Sequence, residues 1–237
     1  MHRNNGGFGK QSDNHSSRPD THPSIPQSLN PSIPMTPRDH NFKSYDGEIG
    51  MTFTGMMLSP ARPQDYADIM KISRCRKCRF ESFAAVAPTM PCHREDGIDI
   101  SYLCDDLVLE DFTVDAGHCY AITIKQARNI FLLNGTILRP AFNWERVDID
   151  LGNRSQYRRL RTEAVVIDGM RSQDGRPVRV RVGDSEKPTL RNGLYDVLTV
   201  QSLGLKGYVY TRALIDATCR REFELMRWEN ITAARYA

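Results

Sequence analysis

The chain has 237 residues, 40% hydrophobic and 26% charged, with a formal net charge of +3. That charge is too small to imply a polyanionic partner by itself, and no apolar run approaches the length of a membrane span. The N-terminus lacks the apolar stretch of a secretory signal peptide, and six cysteines in a chain this long do not resemble a secreted disulfide scaffold. A cytoplasmic or other reducing compartment is therefore expected.

Residues 1–50 are rich in Asn, Ser, Pro and Gly and carry almost no aliphatic side chains. Such a segment cannot bury enough surface to offset its ordering entropy, which predicts a disordered arm. Its cations are matched by acids. The repeated Pro-Ser-Ile-Pro at Pro23–Pro26 and Pro31–Pro34 favours extended polyproline conformation, a spacer or a ligand for a partner's groove. The folded part is expected from Met51 in two sections: a helical, Cys-rich and acidic segment over 51–115, and an antiparallel β domain with a C-terminal helix over 116–237.

In chain order, Pro60–Ile72 and Phe80–Val86 read as short helices. From Glu95 to Asp115 the chain is acidic, with Ile, Leu and Val alternating through Ile98–Leu109, which predicts a solvated strand edge rather than a carboxylate metal site. Asn134-Gly135 between Ile130–Leu133 and Thr136–Leu138 is a strong hairpin signal. Ala164–Ile167 and Val178–Val182 flank Ser172-Gln-Asp-Gly175 as a second hairpin, and Leu194–Val200 with Gly207–Thr211 make a third pair. Ile215–Trp228 closes the chain as a helix. These elements predict an α+β, β-rich fold, an antiparallel curled sheet or small barrel with short helices at both ends.

Three sets of residues have chemical spacing. Cys75-x2-Cys78, followed by Cys92-His93 and Cys104, lies within the range of structural zinc sites, with Cys75, Cys78, Cys92, His93 and Cys104 as candidate ligands. Arg154, Arg158, Arg159 and Arg161, with Arg179 and Arg181 on the expected second hairpin, could track the phosphates of RNA or single-stranded DNA, or meet an acidic protein face. Cys78 before an expected helix, His118 opening a strand and Asn134 ending the next one make a nucleophile–base–amide set.

That last set resembles the papain-like thiol hydrolases, which implies an effector-type protease with Cys78 as nucleophile, His118 as base and Asn134 as its orienting amide. The separation of Cys78 from His118 is much shorter than in that family. Cys75-Arg-Lys-Cys78-Arg-Phe80 is similar to the end of a nuclear-receptor DNA-binding domain, though no cysteine precedes Cys75 and Phe83 stands where a further one is expected. Arg154-x3-Arg158 is similar to the opening of PilZ domains, whose downstream Asp-x-Ser-x-x-Gly is not matched by the spacing of Asp168, Ser172 and Gly175. The reading favoured is a non-catalytic, zinc-stabilised binding or assembly module, such as a virion component, with a nucleic-acid or protein partner, no membrane, and a homo-oligomeric state compatible with the flexible arm.

Overall fold

The computed structural model describes residues 32–34, 43–59, 68–86, 96–115, 120–141, 146–152, 161–183, 185–202, 208–218 and 225–233. Every regular element among them is a strand. After β1 (Ser32–Pro34), one three-strand path recurs: β2 (Lys43–Asp46), β3 (Thr52–Thr54) and β4 (Met57–Leu58); β5 (Met70–Ser73), β6 (Arg76–Glu81) and β7 (Ala84–Ala85); β8 (Ile98–Ser101), β9 (Asp105–Glu110) and β10 (Thr113–Val114). It continues as β11 (Ile122–Ile124), β12 (Arg128–Leu133) and β13 (Thr136–Ile137), then β14 (Ile149–Leu151), β15 (Glu163–Asp168) and β16 (Arg171–Ser172). β17 (Val178–Val182), β18 (Thr189–Arg191), β19 (Leu194–Ser202), β20 (Tyr208–Asp216) and β21 (Leu225–Ala233) follow.

These strands stack into three sheets. Sheet A runs β1-β3-β6-β9-β12-β15-β18, sheet B runs β4-β7-β10-β13-β16, and sheet C runs β2-β5-β8-β11-β14-β17-β19-β20-β21. All pairings are parallel except β19 with β20 and β20 with β21. The result is a β-solenoid of about four turns.

Alternation builds its core. In sheet C, Met70, Ile98, Ile122, Ile149 and Val180 occupy one register position and Ile72, Ile100, Ile124, Leu151 and Val182 another, all buried. Phe53, Phe80, Leu109, Leu132, Ile167 and Leu190 do the same in sheet A. Stacking identical positions places like side chains on top of one another: Phe53 lies on Phe80 with ring centroids 4.9 Å apart and Phe83 on Phe112 at 5.3 Å, the ring planes of each pair nearly parallel.

The corner that ends each sheet A strand from β3 on is made the same way in each layer, leading into sheet B except after β18, where the chain enters sheet C. Gly55, Ser82, Asp111, Asn134, Gly169 and Asn192 each follow the last paired residue of their strand, and each has φ between 47° and 69°. Gly, Asn and Asp tolerate this left-handed conformation best, which is why they dominate the corner. Their amides bond the carbonyl of the next layer, as in Asn134 N–H to Asp168 O at 2.8 Å.

The expected antiparallel sheet or barrel with terminal helices is thus corrected to a mainly parallel stack, with no helix among the described residues. Asn134-Gly135 is a corner, not a hairpin turn: β12 and β13 belong to different sheets and each pairs with the layers above and below. β15, β16 and β17 likewise fall in three sheets. The expected helix over Phe80–Val86 crosses the corner at Ser82, and Met70–Ser73, Tyr208–Asp216 and Leu225–Ala233 are strands. The stack also begins inside the segment expected to be a disordered arm, with β1 in the second Pro-Ser-Ile-Pro repeat and with β2.

Candidate active site

The outer face of sheet C carries charge where its inner face carries Ile and Val. Lys71, Asp99, Thr123, Asp150 and Arg181 form one register column between the two apolar columns. Although they point away from the core, Thr123 and Asp150 are buried. Burial of this kind demands partners. Arg181 grips Asp150 with two bonds, Nε to Oδ1 at 2.8 Å and Nη2 to Oδ2 at 3.0 Å, and its guanidinium lies 5.3 Å from the Tyr120 ring. Arg179 contacts Asp196 at 3.2 Å, and Arg212 clasps the same carboxylate. Asp115, fully buried, is clasped by Arg139.

At the other end of this face three carboxyls gather. Asp68 and Asp96 sit two residues before Met70 and Ile98, which pair across successive layers. The Asp68 Oδ1 accepts the Asp96 amide at 3.1 Å, and the Asp96 Oδ1 accepts the Tyr120 amide at 3.1 Å. Lys71 lies 3.4 Å from Asp99 and 3.9 Å from Asp68, and Lys125 lies 3.9 Å from Asp96. Ser101 donates to Asp99 Oδ2 at 3.2 Å, whereas Asp99 Oδ1 and the Thr123 hydroxyl are buried without a completed hydrogen bond.

The electrostatics follow from this crowding. Burial first, then the charges of Asp99 and Asp96, push Asp68 up to about 7. Burial pushes Asp96 up to about 6, with Lys125 opposing. Lys71 is raised; burial, its largest influence, lowers it, and the charges of Asp99 and Asp68 outweigh that. The Asp68 and Asp96 side chains are 10% and 6% exposed, and the Lys71 ammonium that lies near Asp68 and Asp99 is also 5.8 Å from the centroid of the Tyr102 ring, at the other end of β8. Two recessed carboxyls of different basicity can hold and release a proton near neutral pH.

The residues singled out in the sequence lie elsewhere. Cys75, Cys78 and Cys104 are free thiols in the core, bonding the carbonyls of Ser73, Arg76 and Glu48, and Ile72 and Ser101 at 3.2–3.4 Å. Among the described residues no group of three or more His, Cys, Asp or Glu side chains could hold a metal. The zinc expectation is therefore corrected. Cys75 and Cys104 precede the paired residues Arg76 and Asp105, and Cys78 pairs with Leu107, so the spacing serves inward positions of the stack. The proximity of the Cys75 and Cys78 thiols to one another raises Cys75 and lowers Cys78, while burial raises Cys104 to about 11. Cys92 and His93 lie outside the described residues.

Cys78 sits within β6, so the helix expected to begin there is absent; Asn134 is a corner residue, and His118 lies outside the described residues. Arg154, Arg158 and Arg159 also lie outside them. Arg179 and Arg181 are matched by Asp196 and Asp150 on stacked parallel strands, so the expected Arg-rich hairpin is corrected to one strand of a parallel stack. Arg161 is exposed at the corner between sheets C and A. Asp96 and Asp99 belong to the acidic run noted in the sequence, whereas Asp68, Lys71 and Lys125 were not marked. A recurring signal surrounds them: Ile98-Asp-Ile100, Ile122-Thr-Ile124, Ile149-Asp-Leu151 and Val180-Arg-Val182 are copies of one motif.

No helix of the described residues is long and apolar enough to cross a membrane. No protein-family model matches the chain, and no curated protein matches it. Among solved structures it is similar to a candidate glycosyl hydrolase from Parabacteroides merdae ATCC 43184, at 11% identity and a TM-score of 0.43, over 69% of this chain and 80% of that one.

Proposed function

We propose that the protein cleaves glycosidic bonds in an extended polysaccharide lying along the outer face of sheet C, with Asp68 as general acid and Asp96 as general base. The observation that supports this is the placement of two recessed carboxyls in successive layers, linked through the Asp96 amide and flanked by Lys71 and Lys125. Glycoside hydrolysis needs one carboxyl protonated and its partner ionised at the same pH. Here burial and then Asp99 raise Asp68, while Lys125 opposes the rise that burial imposes on Asp96, so Asp68 is the more basic of the two. The pair titrates as a unit. Tyr102, 44% exposed, offers a stacking surface for a sugar ring, and layers about 4.8 Å apart repeat the same positions along the axis, which suits a polymer.

The test is release of reducing ends from a panel of neutral and acidic polysaccharides. Asp68→Asn and Asp96→Asn are each expected to lower kcat about 10²–10⁴-fold, with a bell-shaped pH profile centred between about 6 and about 7. Full activity in Asp68→Asn, or no bond cleavage by the folded protein on any polymer, would reject this reading.

A further inference from the structure

A concavity separate from the carboxyl pair lies at the corner from sheet C to sheet A. It has a volume of about 280 Å³ and is lined by Arg76, Arg128, Arg161, Asp105 and Glu163 over a floor that includes Cys104 and Ala127. Arg76, Asp105, Arg128 and Glu163 occupy one register column in consecutive layers, so charges of alternating sign are stacked along one wall. Asp105 is already committed: Arg128 Nη2 bonds its Oδ2 at 2.7 Å and Asn129 its Oδ1 at 3.0 Å. These contacts, Arg128 foremost, hold the Asp105 carboxyl below its usual range.

Arg76 begins the column and Arg161 enters from the turn before β15. Both are exposed, and among the described residues neither forms an ion pair. Leu103, 49% exposed, makes an apolar lip between them. Two guanidinium groups with unused donors, converging on a small cleft with one apolar edge, match an oxyanion carried on a compact organic body.

We infer that this corner cleft binds a small organic anion through Arg76 and Arg161, with Leu103 covering the ligand's apolar part. The oxyanion is a carboxylate or a phosphate, and the two sources are separable by experiment. The full chain would be titrated calorimetrically with sodium benzoate and with inorganic phosphate, each against sodium chloride of equal ionic strength. Saturable binding of at least one anion is expected, at least tenfold weaker in Arg76→Gln and in Arg161→Gln and unchanged in Arg171→Gln, an exposed arginine of sheet B. Preference for benzoate, lost in Leu103→Ser, identifies a carboxylate site; preference for phosphate, insensitive to Leu103→Ser, identifies a phosphate site. Both guanidinium groups are exposed, so the variants should keep the circular dichroism of the parent. Heats that follow ionic strength alone, or wild-type affinity in both arginine variants, would overturn the assignment.

Discussion

Arg176 holds Asp148 through two hydrogen bonds, Nη1 to Oδ2 at 2.6 Å and Nη2 to Oδ1 at 2.8 Å, and the carboxylate is fully buried. The Arg179 amide donates to the same Oδ2 at 2.9 Å. Removing one member of a buried, hydrogen-bonded pair leaves the other charge uncompensated. Asp148→Ala is therefore expected to cost about 3–5 kcal/mol, measured by urea unfolding, and Arg176→Ala a comparable amount. A loss below about 1 kcal/mol in both would show that the pair contributes little to the fold.

The recessed carboxyls make stability depend on pH in a stated direction. Asp68 is raised from 3.8 to about 7 and Asp96 from 3.8 to about 6 in the folded chain. The folded state thus binds more protons than the unfolded one between these values, and the contribution present below about pH 4 is lost as pH rises through about 6 to 7. For Asp68 the linked free energy is at most about 4 kcal/mol. Asp68→Asn keeps the acceptor for the Asp96 amide but has no charge to bury. It should be more stable than the parent at pH 8 and no more stable at pH 4, as read from melting curves across that range.

Gly135 has no room for a side chain. A Cβ there would lie 2.3 Å from the Met170 sulfur and 2.5 Å from Phe112 Cζ. Met170 can bend away, but the Phe112 ring is stacked on Phe83 inside the core. Gly135→Ala is expected to cost about 1–3 kcal/mol by overpacking. Thermal unfolding should show a fall of roughly 2–4 °C for each kcal/mol.

The corner column predicts a residue-specific response. Asn134 has φ of 54°, so Asn134→Gly should be close to neutral. Asn134→Val forces a β-branched side chain into the left-handed region and should cost about 1–2 kcal/mol. Equal stability of the two variants in denaturant titrations would contradict the corner geometry.

Cys75, Cys78 and Cys104 are all enclosed by the stack. Peptide mapping after iodoacetamide treatment should find these three unlabelled in the native protein and labelled after denaturation. Rapid native labelling of Cys78 would place it at the surface instead.

Much of the inside–outside pattern was legible from alternation. Val178, Val180 and Val182 are buried and Arg179 and Arg181 face out, as their spacing implies, and the pairing of β19 with β20 follows the apolar runs on either side of Gly207. Parallel stacking was not legible, because no short-range signal distinguishes it. Asn134-Gly135 satisfies a hairpin turn and a solenoid corner equally, since both need a residue that accepts positive φ. The repeat was masked by layers of unequal length: Ile98 and Ile122 are closer in sequence than Ile149 and Val180, yet each is a register pair with its neighbour. The candidate site was hidden for the same reason. Asp68 and Asp96 meet only once the layers are superposed, and in the linear chain Asp68 reads as one residue of an expected helix.

Among the described residues sheets A and B stop at β18 and β16, whereas sheet C continues through β19, β20 and β21, of which β20 alone runs against the direction of the stack. A second molecule arriving end to end would have to continue all three sheets at once, in parallel. It would meet instead an antiparallel meander that protrudes from sheet C alone. The bare rim of a parallel stack is a template for fibre growth; here that rim is stepped, and the step makes the molecule finite at this end.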